Sequence, residues 1–183
     1  PAPASSPSYN LIETWQGNNF FNNFDFFTEP DPSSGYVVYV NKGQAQSAGL
    51  ISVNPSGSVY IGVDHTTTLS SSDPGRKSVR IQSNNFYDQG LFIADIQHMP
   101  GSICGVWPAF WTFGTDWPEH GEIDIIEGVN LQGANQVALH TSGQCDITGN
   151  GQTGTLINAA CSEQAGPGGC TTGAGPNSYG TSF

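Results

Sequence analysis

The chain has 183 residues, which is enough for one domain with a sizeable hydrophobic core. Its formal net charge is −11, from 4 basic and 15 acidic residues, and this balance argues against nucleic acid and anionic membranes as partners, because both attract basic surfaces. Only 10% of the residues are charged, and 24 are Gly. That composition is typical of a secreted, loop-rich β protein, and it is compatible with a neutral polymer as the partner.

Residues 1–8 are rich in Pro, Ala and Ser and predict a flexible N-terminal segment. We interpret this segment as the start of a mature chain whose leader has been removed. No apolar run approaches the length of a membrane-spanning helix. The sequence therefore predicts a secreted, extracellular protein that does not enter a membrane, and we expect a monomer.

Residues 9–183 predict one domain built from short strands. Aromatic residues crowd the segment 11–27, where we expect them to pack in the core. Apolar or alternating runs bounded by turn signals predict strands over 36–40, 58–63, 78–83, 90–96, 110–113, 122–127 and 136–140. The run 90–96 is apolar enough to predict burial on both faces. No segment predicts an amphipathic helix longer than two turns, so the predicted fold class is all-β, a sandwich or jelly roll.

Residues 141–183 are dominated by Gly, Thr, Ser and Asn, and we predict no strand after His140. A long stretch without secondary structure is unusual inside a compact domain. A sandwich also needs strands from both halves of its sequence to complete its sheets. The pattern therefore predicts only the N-terminal part of such a domain, with a C-terminal remainder of the same domain as a partner.

The four cysteines are Cys104, Cys145, Cys161 and Cys170. No C-x-x-C pair occurs, which argues against zinc binding and thioredoxin-like chemistry. Oxidation in a secretory compartment is the favoured interpretation. Four cysteines allow three pairings, and sequence does not choose among them; a bond from Cys145 to Cys161 is the pairing we expect.

Three carboxylates fall within the run 122–127, where Ile residues separate them. Ile is β-branched and suits a half-buried strand, whereas a solvated acidic patch has no need of it. In a regular strand Glu122 and Asp124 share one face and Glu127 lies on the other. One β-bulge between Asp124 and Glu127 would return Glu127 to the shared face, and bulges are frequent beside active sites.

With such a bulge, two glutamates flank a central aspartate on one face of a strand. Two-carboxylate glycosidases have this kind of arrangement: a retaining enzyme needs its carboxyls about 5–5.5 Å apart and an inverting one roughly 6.5–9.5 Å. Clustered carboxylates can also hold Ca²⁺ through oxygen ligands. The apolar spacers lack the Asn, Asp and Gly loop chemistry of such sites, so we favour catalysis over a metal site or an acidic surface strand.

The run 122–127 has the E-x-D-x-x-E form of glycoside hydrolase family 16, and the chain resembles the laminarinases and other endo-β-1,3(4)-glucanases of that family. Three further stretches are similar to fungal members: residues 107–111 (WPAFW), 75–81 (GRKSVRI) and 139–141 (LHT). The similarity covers nearly the whole chain. It implies a concanavalin-like β-jelly-roll sandwich with a concave substrate cleft, and a catalytic domain over residues 9–183 that lacks its C-terminal strands.

By this resemblance, Glu122 is the nucleophile that forms a covalent glycosyl-enzyme, and Glu127 is first the general acid and then the general base. Asp124 would hold a proton or hydrogen bond that tunes Glu122. The alternative for Asp124 is a structural carboxylate bonded to backbone. A second carboxylate nearby also helps keep Glu127 protonated, because like charges disfavour ionisation.

Five more side chains are candidates for substrate binding. Trp111 and Trp117 are the favoured sugar platforms, because flat aromatic rings suit the C–H faces of sugars, while Trp107 is divided between core and cleft. Plain core packing is the alternative for each Trp. The resemblance implies that Arg80 binds glucosyl hydroxyls, with an exposed arginine or an ion pair as the alternative. It also implies that His140 bonds substrate or the nucleophile, with a structural histidine as the alternative.

The favoured function is retaining endo-hydrolysis of β-1,3-glucans such as laminarin, and mixed β-1,3/1,4-glucans are left open as further substrates. A non-catalytic β-glucan-binding module and a β-glucan transglycosylase are the alternatives. We expect a β-glucan polysaccharide as the partner, and neither nucleic acid nor a membrane. No cofactor is expected to be required, and a structural Ca²⁺ is left open.

Overall fold

The computed structural model describes residues 9–166, 168–176, 178 and 179. The flexible segment predicted at residues 1–8 lies outside the described residues. The chain divides into two compact units, Pro1–Ile93 and Ala94–Phe183. Within the described ranges, no helix is both long enough and apolar enough to span a bilayer.

The described part of the first unit consists of short strands, one 3₁₀ turn and one short helix. In chain order these are the 3₁₀ turn Gly17–Asn23, β1 (Phe24–Phe26), β2 (Val37–Tyr39), α1 (Lys42–Ser47), β3 (Ile51–Val53), β4 (Val59–Ile61), β5 (Arg76–Ser78) and β6 (Ile81–Ser83). The strands form three two-stranded sheets. β1 pairs with β6 and β3 with β4 in antiparallel fashion, whereas β2 and β5 are parallel.

Helix α1 begins with a reciprocal cap. The Asn41 side chain accepts a hydrogen bond from the Gln44 backbone N–H at 2.9 Å, and the Gln44 side chain accepts one from the Asn41 N–H at 3.1 Å. The cap fixes the helix so that Ala45 is fully buried in the core of this unit. The other buried members of that core are Phe21, Val40, Leu50 and Ile51, with Phe20 and Phe26 packed against them. Core packing, which we expected for the aromatic segment 11–27, is thereby confirmed for Phe20, Phe21 and Phe26.

The single strand predicted over 78–83 is wrong, because the chain changes partner at residues 79 and 80. β5 pairs with β2, whereas β6 pairs with β1. Between them, the Arg80 carbonyl accepts a hydrogen bond from the Phe27 N–H at 3.0 Å. The alternation of apolar and polar residues over 78–83 continues across this break, so the pattern alone does not reveal it.

The buried strand predicted over 90–96 is also wrong. No strand forms there, and Leu91, Phe92 and Ile93 are 58%, 54% and 86% exposed. An apolar run becomes a strand only when another strand pairs with it, and no strand in the described part of the chain does so.

The second unit is built around one antiparallel sheet. Its elements are β7 (Ala109–Phe113), β8 (Glu122–Glu127), β9 (Gln136–His140), β10 (Thr155–Asn158), the 3₁₀ turn Glu163–Ala165 and β11 (Cys170–Gly173). The strand order is β10-β11-β9-β8-β7, with every neighbouring pair antiparallel. The strands predicted over 110–113, 122–127 and 136–140 are confirmed, and the run with three carboxylates lies in β8, next to the centre of the sheet.

The prediction that no strand follows His140 is wrong, because β10 and β11 both do. Their sequences, TLIN and CTTG, are short and lie among Gly, Ser and Thr, so they carry no clear alternation. β11 instead forms through a long-range pairing in which Cys170 lies opposite Leu139 of β9.

The expected bond between Cys145 and Cys161 is wrong as well. Cys161 bonds to Cys170, and both are fully buried. The loop that begins at Cys161 ends at Cys170, and the pairing of β11 with β9 brings Cys170 next to Cys161. Cys145 stays close through its backbone, whose carbonyl accepts a hydrogen bond from the Cys161 N–H at 2.8 Å, but Cys104 and Cys145 are exposed free thiols.

Candidate active site

Strand β8 carries one extra residue relative to its neighbour β7. Asp124 and Ile126 pair with successive residues of β7, so Ile125 has no opposite residue in that register. The bulge predicted between Asp124 and Glu127 is thereby confirmed. Because it inserts one residue, Glu127 returns to the face that Glu122 and Asp124 share.

Small residues lie opposite two of the three carboxylates. Ala109 of β7 pairs with Glu127, and Ala138 of β9 pairs with Asp124. An Ala side chain ends at Cβ, so neither neighbour extends over the carboxylate across from it. Glu127 therefore has no bulky partner on β7, whereas Asp124 has the small Ala138 opposite it on β9 and Trp111 opposite it on β7.

The side chain of Asn135 holds the backbone of the bulge. Its Oδ1 accepts a hydrogen bond from the Glu127 N–H at 2.9 Å, and its Nδ2 donates to the Ile125 carbonyl at 2.9 Å. The pairing of β9 with β8 covers only residues 122–124 of β8. The Asn135 side chain therefore bonds two backbone groups of β8 that have no partner in β9.

His140 links the carboxylates from strand β9, where it lies directly opposite Glu122. Its Nε2 is 3.0 Å from Asp124 Oδ2 and 3.8 Å from Glu122 Oε1. Asp124 is only 2% exposed, so this contact is made away from solvent. The structure therefore brings together three of the predicted site residues in one hydrogen-bonded cluster.

The other ring nitrogen of His140 meets a carboxylate that sequence reasoning missed. Nδ1 lies 2.6 Å from Glu163 Oε1. Glu163 belongs to the 3₁₀ turn between β10 and β11, in the segment for which we predicted no secondary structure. A lone acidic residue in a Gly-rich stretch carries no local signal of such a contact, because β9 and the turn meet only in the folded chain.

Burial sets the proton affinities of this cluster. It raises the pKa of Asp124 to about 6, and the neighbouring charge of Glu122 acts in the same direction. Burial also raises the pKa of Glu122, against the opposing charge of His140 and hydrogen bonds from Trp117 and Asp124. Burial alone would lower the pKa of His140, but the hydrogen bond to Glu163 and the surrounding carboxylates outweigh it and raise that pKa.

Glu127 stands apart from the His140 cluster and has its own partner. The Trp107 Nε1–H donates to Glu127 Oε1 at 2.8 Å. Burial raises the pKa of Glu127, and the hydrogen bond from Trp107 opposes that shift by stabilising the ionised form. A carboxyl with a raised pKa is suited to act as a general acid near neutral pH.

The two favoured sugar platforms have different surroundings. Trp117 is 49% exposed, and its ring centroid lies 6.4 Å from that of His140, beside the cluster. Trp111 is half-buried, lies opposite Asp124 on β7 and stacks on Phe113 with ring centroids 4.9 Å apart. Trp107 is 58% exposed, so its side chain does not pack in the core. Binding of sugar by these rings stays a prediction.

Arg80 belongs to the first unit. Its guanidinium carbon lies 4.5 Å from the centroid of the Phe27 ring, a cation–π arrangement. Burial acts to raise the pKa of the neighbouring Asp31, but hydrogen bonds from Ser33 and Gly35 lower it, and the charge of Arg80 acts in the same direction as these bonds. The predicted role of Arg80 in binding glucosyl hydroxyls stays a prediction.

Glu122, Asp124 and His140 also come closest to a metal-ligand set among the described residues, since one possible ligand atom of each lies within 4.8 Å of the others. The 3.0 Å separation of His140 Nε2 and Asp124 Oδ2 is a hydrogen-bond length, and one shared proton accounts for it. We therefore interpret the group as a hydrogen-bonded cluster and not as a metal site. The expectations that no cofactor is required and that a structural Ca²⁺ is open stay predictions.

Comparison with known proteins identifies the family. A family model described as the XgeA-like catalytic GH16 domain matches residues 24–183. The chain belongs to glycoside hydrolase family 16, whose signature the run 122–127 resembles. The predicted start of the catalytic domain at residue 9 stays a prediction.

Relatives with high identity are fungal. A probable endo-1,3(4)-beta-glucanase of Aspergillus niger is 55% identical over 181 residues, which cover 99% of this chain and 24% of the relative. The endo-1,3(4)-beta-glucanase xgeA of Emericella nidulans is 52% identical over 180 residues, which cover 98% of this chain and 29% of the relative. The chain thus spans 24% to 29% of the length of these curated relatives.

Solved structures support the same conclusion. An elongating GH family 16 beta-1,3-glucosyltransferase is 56% identical with a TM-score of 0.91, covering 96% of this chain and 60% of its own. Laminarinase 16A from Phanerochaete chrysosporium, solved with 6-O-glucosyl-laminaritriose in donor and acceptor sites, is 41% identical with a TM-score of 0.88 and coverages of 96% and 59%. The predicted fold class, an all-β jelly roll of which this chain carries part, is confirmed.

Proposed function

We propose that this chain carries the catalytic carboxylates of a retaining endo-hydrolase of β-1,3-glucans, with mixed β-1,3/1,4-glucans as further substrates. One observation carries the proposal: the bulge at Ile125 turns Glu122, Asp124 and Glu127 to one face of β8. Retaining glycosidases need two carboxyls on one side of a cleft, close enough for both to reach the scissile bond. Relatives described as endo-1,3(4)-beta-glucanases support the substrate class.

In the first step Glu122 acts as the nucleophile. Its carboxylate oxygen bonds to the anomeric carbon while the glycosidic C–O bond breaks, and Glu127 gives its proton to the departing oxygen. The raised pKa of Glu127, caused by burial, keeps that proton available at mildly acidic pH. The products of this step are a covalent glycosyl-enzyme and the shortened glucan.

In the second step Glu127, now ionised, takes a proton from water. The water oxygen bonds to the anomeric carbon, and the bond from that carbon to Glu122 breaks. Each step inverts the anomeric carbon, so the configuration is retained overall.

Asp124 and His140 support the second step. The charge of His140, whose Nε2 is 3.8 Å from Glu122 Oε1, opposes the burial that raises the pKa of Glu122. A carboxylate with a lower pKa is a better leaving group, so this charge helps release Glu122 from the glycosyl-enzyme. The proton that Asp124 shares with His140 stays in the cluster throughout.

The exposed rings of Trp107 and Trp117, next to Glu127 and the His140 cluster, are suited to hold the sugar rings on either side of the scissile bond. A neutral β-glucan also fits the net charge of −11, because it experiences no repulsion from an acidic protein. We place the protein outside the cell, since its disulfide persists best in an oxidising compartment.

A second candidate is transfer of the glycosyl group to a sugar instead of water. The observation that favours it is the 56% identity to an elongating GH family 16 beta-1,3-glucosyltransferase. Both reactions share the first step and the glycosyl-enzyme, and they differ only in which hydroxyl Glu127 activates. A non-catalytic binding module is less favoured, because binding alone has no need of three clustered carboxyls whose pKa values are raised by burial.

The test is release of new reducing ends from laminarin by this chain, with products sized by chromatography. Short oligosaccharides are the expected products of an endo-hydrolase, whereas products longer than the substrate indicate transfer. Glu122→Gln should abolish both reactions while laminarin binding is kept, because Gln has nearly the same shape but is no nucleophile.

Glu29→Gln is the matched control, since Glu29 is exposed and lies in the first unit, whereas Glu122 lies in the second. Near-normal turnover by Glu122→Gln would contradict the assignment of the nucleophile. Retention on insoluble β-1,3-glucan without any turnover by the wild-type chain would favour the binding module.

A further inference from the structure

We propose that Glu163 is a positioning residue for the His140–Asp124–Glu122 cluster and that the loop closed by the Cys161–Cys170 disulfide holds it there; the kinetic part of this proposal rests on the proposed function. Glu163 Oε1 is 2.6 Å from His140 Nδ1, and the two side chains are 16% and 14% exposed. The contact is therefore mostly shielded from water. In such surroundings a hydrogen bond orients a ring more strongly than it does on the surface.

The backbone around Glu163 is fixed at several points. Thr141, the residue after His140, donates from its N–H to the Cys161 carbonyl at 2.9 Å, and its own carbonyl accepts from the Glu163 N–H at 3.0 Å. Ser162 caps the turn by accepting from the Gln164 N–H. The segment 161–163 thus runs beside the end of β9, and the disulfide to Cys170 closes the loop.

This arrangement decides which nitrogen of His140 carries the proton. An ionised carboxylate can only accept, so Nδ1 must donate to Glu163. In the neutral ring Nε2 is then an acceptor and takes a hydrogen bond from protonated Asp124. In the charged ring Nε2 donates to ionised Asp124. One proton lies between Nε2 and Asp124 in both cases, which fits their 3.0 Å separation.

Without Glu163 the ring has no such constraint. The neutral imidazole would be free to place its proton on Nε2, and the ring would be free to rotate about its side-chain bonds. Three carboxyls face the ring: Glu122 and Asp124 from β8 and Glu163 from the 3₁₀ turn. Of these three carboxyls only Glu163 contacts Nδ1. Its loss therefore changes which ring nitrogen carries the proton as well as the negative charge around the ring. Carboxylate partners of histidines in other active sites have the same orienting role.

The experiment compares Glu163→Ala, Glu163→Gln and the control Glu29→Gln. ¹⁵N-labelled histidine reports the tautomer of each ring by NMR, and a His140→Gln spectrum identifies the His140 signal among the 4 histidines. We expect a protonated Nδ1 in wild type and in Glu163→Gln, because the Gln oxygen still accepts. In Glu163→Ala we expect that signal to be lost or mixed with the Nε2–H form.

Turnover of laminarin is the second readout. Glu163→Ala should lower kcat about 10- to 100-fold, the usual effect of removing such an orienting partner, with KM within about twofold. Glu163→Gln should recover most of that loss. Both variants should lower the pH at which His140 titrates in the NMR spectra, because both remove a neighbouring negative charge.

An unchanged His140 tautomer and titration in Glu163→Ala would overturn the proposal, whatever happens to kcat, since a fall in kcat alone would then be a general structural effect. Loss of kcat no greater than in Glu29→Gln would overturn it as well. If the wild-type chain has no turnover of any kind, the proposed function fails by itself, and the NMR spectra still decide whether Glu163 positions His140.

Discussion

At the scale of single residues, Glu127 is controlled by two neighbours that act on different properties. Trp107 donates to its carboxylate and so favours the ionised form. Asn135 accepts from its backbone N–H and so fixes where the side chain begins. The first neighbour affects when Glu127 holds a proton, and the second affects where that proton is delivered. These effects are separable by mutation.

Trp107→Phe tests the first neighbour. Phe keeps most of the ring but has no N–H, so the pKa of Glu127 should rise further. The alkaline limb of the kcat/KM profile reports the general acid of the free enzyme, and we expect it to move to higher pH. The measurement is the rate of laminarin hydrolysis from pH 4 to 9.

Trp15→Phe is the matched control for this change. Trp15 also donates to a glutamate, Glu13, at 2.7 Å, but it lies in the first unit. An alkaline limb that shifts equally in both variants, or that moves to lower pH in Trp107→Phe, would contradict the assignment of Glu127 as the general acid.

At the scale of elements, the bulge of β8 depends on a residue outside the strand. Asn135 precedes β9 and bonds both the Ile125 carbonyl and the Glu127 N–H. A bulge leaves ladder groups unpaired, and unpaired buried groups are costly. The Asn135 side chain therefore contributes to the stability of the sheet and to the direction of the general acid together.

Asn135→Ala should lower the free energy of unfolding by about 1–3 kcal/mol, because two backbone groups lose their partners. It should also lower kcat on laminarin more than on an aryl glucoside with a good leaving group, since the latter needs little help from a general acid. Urea unfolding and the two kcat values are the measurements. Asn135→Asp keeps the acceptor for Glu127 but sets a carboxylate oxygen against the Ile125 carbonyl, so its loss of stability should be smaller at acidic pH, where the protonated Asp can donate, than at neutral pH.

How much the sequence predicted also differs by element. Strand β8 and its bulge were predictable, because β-branched spacers and three carboxylates leave few other arrangements for residues 122–127. Strand β11 was not, because its sequence CTTG pairs with β9 through contacts distant in sequence. The partners of the carboxylates followed the same rule: His140 lies on a predictable strand, whereas Asn135 and Glu163 lie in segments whose position only the folded chain decides.

At the scale of the whole molecule, the four cysteines, all in the second unit, divide into one bonded pair and two free thiols. Cys161 and Cys170 are bonded, and Cys104 and Cys145 are free and exposed. We expect a thiol reagent to modify 2 of the 4 cysteines in the native chain and all 4 after reduction. Peptide mapping should link position 161 to position 170; a link from 145 to 161 would contradict the structure.

Removal of this disulfide should destabilise the chain and its site together. Closing a loop of this length is worth about 2–3 kcal/mol in the chain-entropy description. We expect the Cys161→Ser/Cys170→Ser double variant to lose stability of that order and to weaken the Glu163–His140 contact. Urea unfolding and the His140 NMR signal are the measurements, and Cys104→Ser/Cys145→Ser is the control, since it removes two free thiols only.

Stability against pH is set by two groups of carboxyls with opposite shifts. In the first unit, hydrogen bonds from Thr67 and Thr66 lower the pKa of Asp64, so its contribution is present near neutral pH and is lost as the pH falls below its unfolded value. In the second unit, burial raises the pKa values of Asp124, Glu122 and Glu127. Their contribution is complete at acidic pH and is lost as the pH rises.

We therefore expect maximal stability at mildly acidic pH, with a decline towards neutral that Asp124 helps to cause. Asp124 has an ordinary pKa of 3.8 and a folded pKa of about 6, so the folded chain binds a proton between these values that the unfolded chain has released. Its stabilisation is complete below the lower value and falls as the pH rises through the higher one.

Asp124→Asn does not titrate, so its midpoint of thermal unfolding should decline less between pH 4 and 7. Asp64→Asn, the control in the first unit, should leave the decline above pH 5 unchanged and reduce the loss at acidic pH. A wild-type midpoint that rises steadily from pH 4 to 7, with Asp124→Asn parallel to it, would mean that Asp124 ionises freely in the fold, and it would remove the proton that we place between Asp124 and His140.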